Sequence, residues 1–249
     1  MGRGEAPVYI LLSVPELFFR KKRRVVRLNS VSSNQSDVSI QLGLFDAVKD
    51  LLFVNPVFLL GIIAICVILI IIFKKNRTIP KARISILLLV FYYYLCVMLT
   101  KIVGIPTLSE YIRLSGLGEA FFNPNINLIP FHDGFGLGFI LNIFLFVPLG
   151  FLCPLISKRY QCVKNTLLIG FGLSLSIEIV QLFTLYRATD INDLITNIVG
   201  TLIGYFCFRF IHELVITKSH AISNFQEPHG MRYVPVVMIV TAFILGFFS

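Results

Sequence analysis

"SIEIVQLFTLYRATDINDLITNIVG", residues 176–200, sets Glu178 in an apolar run, then crowds Arg187, Asp190 and Asp193 into seven residues, with Asn197 one helical turn further on. The apolar stretches on either side, 165–183 and 191–211, each supply the roughly 20 residues a membrane helix needs. The turn between them is short, so they read as antiparallel neighbours. That reading puts charge at membrane depth, where a charged side chain costs about 3 kcal/mol on insertion scales. Such residues must be paired, protonated or facing water.

The rest of the chain agrees with a membrane setting. Hydrophobic residues make up 56% of the 249 and charged residues 14%, against roughly 25% charged in a soluble domain. The mean hydropathy is +0.84. Lysine and arginine outnumber aspartate and glutamate by 22 to 13. The basic residues sit mainly in short loops between apolar runs, so they read as topology signals and lipid head-group contacts, not as a nucleic-acid surface. Cys66, Cys96, Cys153, Cys162 and Cys207 form no CxxC pair and read as small apolar residues.

The predicted fold is all-α, a polytopic transmembrane helical bundle of about five to six spans. The spans fall near 51–73, 84–103, 135–157, 165–183 and 191–211, with a possible sixth at 233–248. Pro148, Gly150 and Pro154 predict a kink in the third. Outside the spans the chain reads as irregular. "KKNRTIPKAR" (74–83) and "SKRYQCVK" (157–164) carry five and three positive charges, which assigns both loops to the inside. Residues 104–134 and the turn at 184–189 then fall outside, and 212–232 inside. Residues 1–44 are an extension of uncertain topology. Their "VYILLSVPELFF" is too short to span comfortably, and the basic cluster "RKKRRVVR" follows it, unlike a signal peptide.

On this topology several polar residues reach one leaflet. Ser174, Glu178 and Gln181 share a face of the fourth span. Asp190, Asp193 and Asn197 form a stripe down the fifth, continued by Gly200 and Gly204. Asn142 lies about 10 Å down the third. The preceding loop "NPNINLIPFHD" (123–133) adds Asn127, His132 and Asp133, and Arg187 sits in the turn. A purely structural network would pair Glu178 with Asn197 or Asn142 and Arg187 with Asp190, with Gly200 and Gly204 permitting close helix contact. Clustering at one depth points instead to a binding site.

The segments "NLIPF" (127–131), "NIFLFVPLGFLCP" (142–154), "SLSIEIVQLF" (174–183) and "RATDINDLITNIVGTLIGY" (187–205) resemble the VanZ-like family. The resemblance covers about residues 45–211 and is most specific in the ordered set Glu178, Gln181, Arg187, Asp190, Asp193, Asn197 and Gly200. It implies a small multi-pass protein of the bacterial cell membrane, in a family whose founding member is associated with resistance to the glycopeptide teicoplanin. It implies no reaction. Residues 1–44 and the possible sixth span lie outside it.

No G-x-S-x-G elbow, HExxH or P-loop is present in the sequence. Glu178, Asp190, Asp193 and His132 could ligate a divalent metal, but amide partners suit hydrogen bonding to a sugar or peptide better. No metal or other cofactor is expected. The favoured reading is non-enzymatic: binding of an amphiphile at the outer leaflet, with membrane lipids, a lipid-linked envelope precursor or a lipoglycopeptide as partners. The alternatives are a membrane enzyme acting on a lipid-linked cell-wall precursor or polymer, and an accessory subunit of a membrane complex. A transporter is disfavoured, because coupling sites tend to lie near the midplane.

Overall fold

The computed structural model describes residues 56–75, 81–118, 122, 126–127, 136–184, 189–216 and 227–249. The expectations for residues 1–44, and for His132, Asp133 and Arg187, lie outside these residues. Seven α-helices run along the described chain: α1 Phe58–Lys75, α2 Lys81–Val97, α3 Leu108–Gly116, α4 Leu137–Ile156, α5 Val163–Gln181, α6 Ile191–Ile216 and α7 Val234–Phe247. Five helical segments are long and apolar enough to cross a membrane: 81–116, 137–156, 163–181, 191–214 and 230–247. The 18 residues of α1 rise about 27 Å, slightly under a hydrocarbon thickness of about 30 Å. The all-α membrane bundle is therefore what the chain forms.

Packing divides the helices into two groups. The most extensive pair is α4 with α6, and α5 packs on α6 next. A second group joins α1, α2 and α7, and α2 connects it to α4. The "FYYY" cluster supplies much of that connection. Phe91 and Tyr92 are buried. The Tyr92 hydroxyl donates to the Phe58 carbonyl of α1 at 3.1 Å, and the Tyr94 hydroxyl to the Leu145 carbonyl of α4 at 2.7 Å. These aromatics are structural ties, each using its one polar atom across a helix interface.

Glycine makes the α4–α6 contact possible. A Cβ built on Gly200 would overlap the Ile143 carbonyl, and one on Gly204 the Val147 carbonyl. The two glycines are four apart and so face α4 together, the small-residue device of membrane helix pairs. Thr201 is fully buried where three helices meet: its backbone carbonyl presses on Gly150 of α4, and its side chain presses on Gly170 of α5. Its hydroxyl is satisfied inside its own helix by the Asn197 carbonyl at 2.8 Å. Pro148 and Pro154 both lie inside α4 without ending it; their missing N–H groups leave the carbonyls of Phe144 and Gly150 without the usual helical donor.

Three local elements depart from the expectation of regular helix within the spans and irregular structure between them. After α2 the chain continues as a π-helical stretch, Met98–Val103, closed by Gly104 at φ 66°, a left-handed conformation that favours glycine. Then α3 forms, capped by the Thr107 hydroxyl accepting from the Glu110 amide at 3.3 Å. Its start is written in "TLSE" (107–110), a Thr-x-x-Glu capping pattern. Lys158–Gln161 forms a 3-10 turn whose Tyr160 donates to the Arg232 carbonyl at 3.0 Å. Burial pushes that phenol up to about 12, so it remains a neutral donor at ordinary pH. The Glu227 carboxylate also accepts from the Lys158 amide at 2.7 Å. Together these bonds hold the start of α7 to the α4–α5 connection.

Candidate functional site

Because α4 and α6 run parallel and α5 antiparallel to both, one end of the trio holds the start of α4, the end of α5 and the start of α6. The polar residues singled out in the sequence meet there. Asp190 caps α6: its Oδ1 accepts from the Asn192 amide at 2.9 Å, placing a carboxylate where the helix presents free N–H groups. The Asp190 amide in turn donates to Glu178 Oε2 at 3.1 Å. The neighbouring Thr189 hydroxyl donates to the Glu178 backbone carbonyl at 3.2 Å. Glu178 therefore fastens the end of α5 to the start of α6.

Two further bonds bind the trio. Asn142 Nδ2 of α4 donates to Asp193 Oδ1 of α6 at 2.6 Å. Asn197 Nδ2, one turn along, donates to Ser174 Oγ of α5 at 2.9 Å. These amides do not go to Glu178 as the helix-face pattern expected. The parallel register of α4 and α6 brings Asn142 level with Asp193, and the antiparallel register of α5 and α6 brings Asn197 level with Ser174. Ser174 is thus a member of the cluster. Its place on the Glu178 face was the only signal for it.

Burial sets these residues apart from a solvated rim. Glu178, Gln181 and Asn197 are each 4% exposed. The oxygens Gln181 Oε1 and Asn197 Oδ1 are buried with no hydrogen-bond partner among the described residues. A buried polar atom without a partner costs about 1–3 kcal/mol, so such atoms commonly mark a place where another group binds. Thr196 spends its hydroxyl on its own helix, bonding the Asn192 and Asp193 carbonyls at 2.9 and 3.0 Å.

Asn127 also reaches this end. Ile126–Asn127 pairs in parallel with Thr189–Asp190, setting Asn127 beside Asp190. Phe122 packs its ring on Phe183, just past α5, with centroids 5.7 Å apart. The loop before α4 is thereby tied to the turn between α5 and α6. This two-residue bridge was not foreseen, because a pairing so short has no periodicity to read. Of the candidate residues read from the sequence, the structure brings Asn127, Asn142, Ser174, Glu178, Gln181, Asp190, Asp193 and Asn197 to this end. Among the described residues, no three acidic, histidine or cysteine side chains converge as a metal site would require.

The fold and this cluster define a multi-pass helical membrane protein with a buried polar centre at one end of a three-helix unit. Residues 89–212 match the family model described as VanZ/LLP1, and the chain belongs to the VanZ-like family. The match starts within α2, later than the 45–211 expected, and extends through α4, α5 and most of α6, including every site residue named above. No curated protein and no solved structure matches the chain.

Proposed function

We propose that this protein is a non-enzymatic factor of the bacterial cell membrane that binds an amphiphile at the outer leaflet. The polar cluster takes the head group. The apolar outer faces of α5 and α6, with exposed Leu175 and Ile179 on one and Val199 and Ile203 on the other, run alongside acyl chains. The observation that carries the reading is that three hydrogen bonds, Asn142–Asp193, Asp190–Glu178 and Asn197–Ser174, tie three helices together at the same end of the bundle. Two buried amide oxygens remain there with no partner among the described residues. The basic loops at the opposite end support an outer placement of this end of the bundle, where an acylated glycopeptide such as teicoplanin would approach along the membrane. That geometry is how the protein would act in glycopeptide resistance.

The test is lipid extraction and mass spectrometry of the purified protein, wild type beside Glu178→Gln. A co-purifying unmodified amphiphile that the variant loses is the expected result. A chemically altered lipid made by the wild type alone would overturn the non-enzymatic reading in favour of a membrane enzyme.

A further inference from the structure

We infer that the head group received by this cluster presents hydrogen-bond donors, and specifically a primary ammonium, to Asn197, Gln181 and the neighbouring carboxylates. The inference rests on the amphiphile-binding reading and narrows its ligand.

Among the described residues, three donors at this end are already directed to protein acceptors. Asn142 Nδ2 is given to Asp193, Asn197 Nδ2 to Ser174, and the Asp190 amide to Glu178. With its amino group on Ser174, Asn197 presents Oδ1. That atom and Gln181 Oε1 are both buried with no hydrogen-bond partner among the described residues. Both are acceptors, so whatever completes them must bring N–H or O–H. Glu178, Asp190 and Asp193 are also acceptors when ionised, each with about four lone-pair sites.

The charge of the same side chains selects among donors. Among the described residues, a phosphate or sulfate carried to this depth would face three carboxyl groups and would supply acceptors to amide oxygens that need donors. An ammonium supplies three N–H groups and a positive charge in a compact volume, and bonds between ionised partners are about twice as strong as neutral ones. A bare metal ion fits less well. The carboxyl groups are spread along α5 and α6, and among the described residues none of them converge in threes. In this arrangement an amphiphile with both phosphate and amine would enter amine first, its phosphate staying nearer the mouth.

Full-length protein, delipidated in detergent, should be titrated by native mass spectrometry with phosphatidylethanolamine, phosphatidylcholine and phosphatidylglycerol of identical acyl chains. Phosphatidylcholine keeps the zwitterionic charge but has no N–H donor. Phosphatidylglycerol brings hydroxyls on an anion. The expected result is a preference of about tenfold or more for phosphatidylethanolamine over the other two. Gln181→Met and Asp193→Asn should abolish that preference by weakening phosphatidylethanolamine binding to the level of the other two. Melting curves identify a variant that fails to fold. If Asp193→Asn does so, Gln181→Met decides, because it removes the amide and nearly keeps the volume.

Equal binding of phosphatidylethanolamine and phosphatidylcholine, tightest binding of phosphatidylglycerol, or an undiminished preference in Gln181→Met would overturn the assignment but leave amphiphile binding standing. Failure to retain any of the three lipids would remove both.

Discussion

Gly204→Ala, set beside Gly172→Ala, tests the packing that holds the polar cluster together. Both glycines are helical interior positions, so alanine gains up to about 1 kcal/mol of helix propensity at either. They differ in what the added methyl meets. At Gly172 there is nothing within 4 Å, whereas at Gly204 the methyl would overlap the Val147 carbonyl and approach the backbone of Phe151. Backbone cannot rotate aside as a side-chain tip can, so the overlap should cost near the top of the usual 1–3 kcal/mol for an overpacked core. The net loss at Gly204 is then about 2 kcal/mol, against a neutral or slightly favourable change at Gly172. The two variants should differ by about 2–3 kcal/mol, up to two decades in the folding constant. Reversible denaturant titration in mixed micelles, followed by circular dichroism, reads this directly. Equal tolerance of the two substitutions would refute the close α4–α6 crossing.

Three other outcomes are expected from the helix contacts and caps. Asn142→Ala removes the 2.6 Å bond to Asp193 and should lower stability by about 1 kcal/mol, in the range of measured interhelical bonds, in the same titration. In a cysteine-free background, Ser115→Cys should react with an impermeant thiol reagent on intact cells, while Arg159→Cys should react only after the cells are opened; the opposite pattern would invert the topology. Thr107→Ala deletes the cap of α3 and should cost about 1 kcal/mol locally, seen as faster amide exchange in 108–116 with the other helices unchanged.

The membrane bundle was legible because hydropathy acts over about 20 residues at a time, and no short-range feature can hide it. Gly200 and Gly204 were legible as a close-contact stripe, since four-residue spacing fixes a common helix face. The membership of the polar cluster was legible for the same reason, but its partners were not. Helix periodicity gives the face a side chain occupies, whereas pairing depends on the axial register between helices. Asn142 therefore met Asp193, and Asn197 met Ser174. The parallel bridge of Ile126–Asn127 with Thr189–Asp190 joins stretches over 60 residues apart and carries no local signal. By contrast α3 is legible, because "TLSE" at 107–110 is a capping sequence; its nine residues are too short and too polar to read as a span.

The central claim is that the cluster exists to receive a head group and is not there merely to hold helices together. Asp193→Asn separates the two. The amide oxygen preserves an acceptor for Asn142, and the side chain keeps its size, so packing is nearly unchanged while one carboxylate is lost. Melting temperature and amphiphile retention should be measured on the same purified sample. The account predicts a melting temperature within about 4 °C of wild type, the shift expected for roughly 1 kcal/mol in a chain of this size, together with loss of the co-purifying amphiphile. A large fall in melting temperature with retention unchanged would contradict it and make the cluster a structural network.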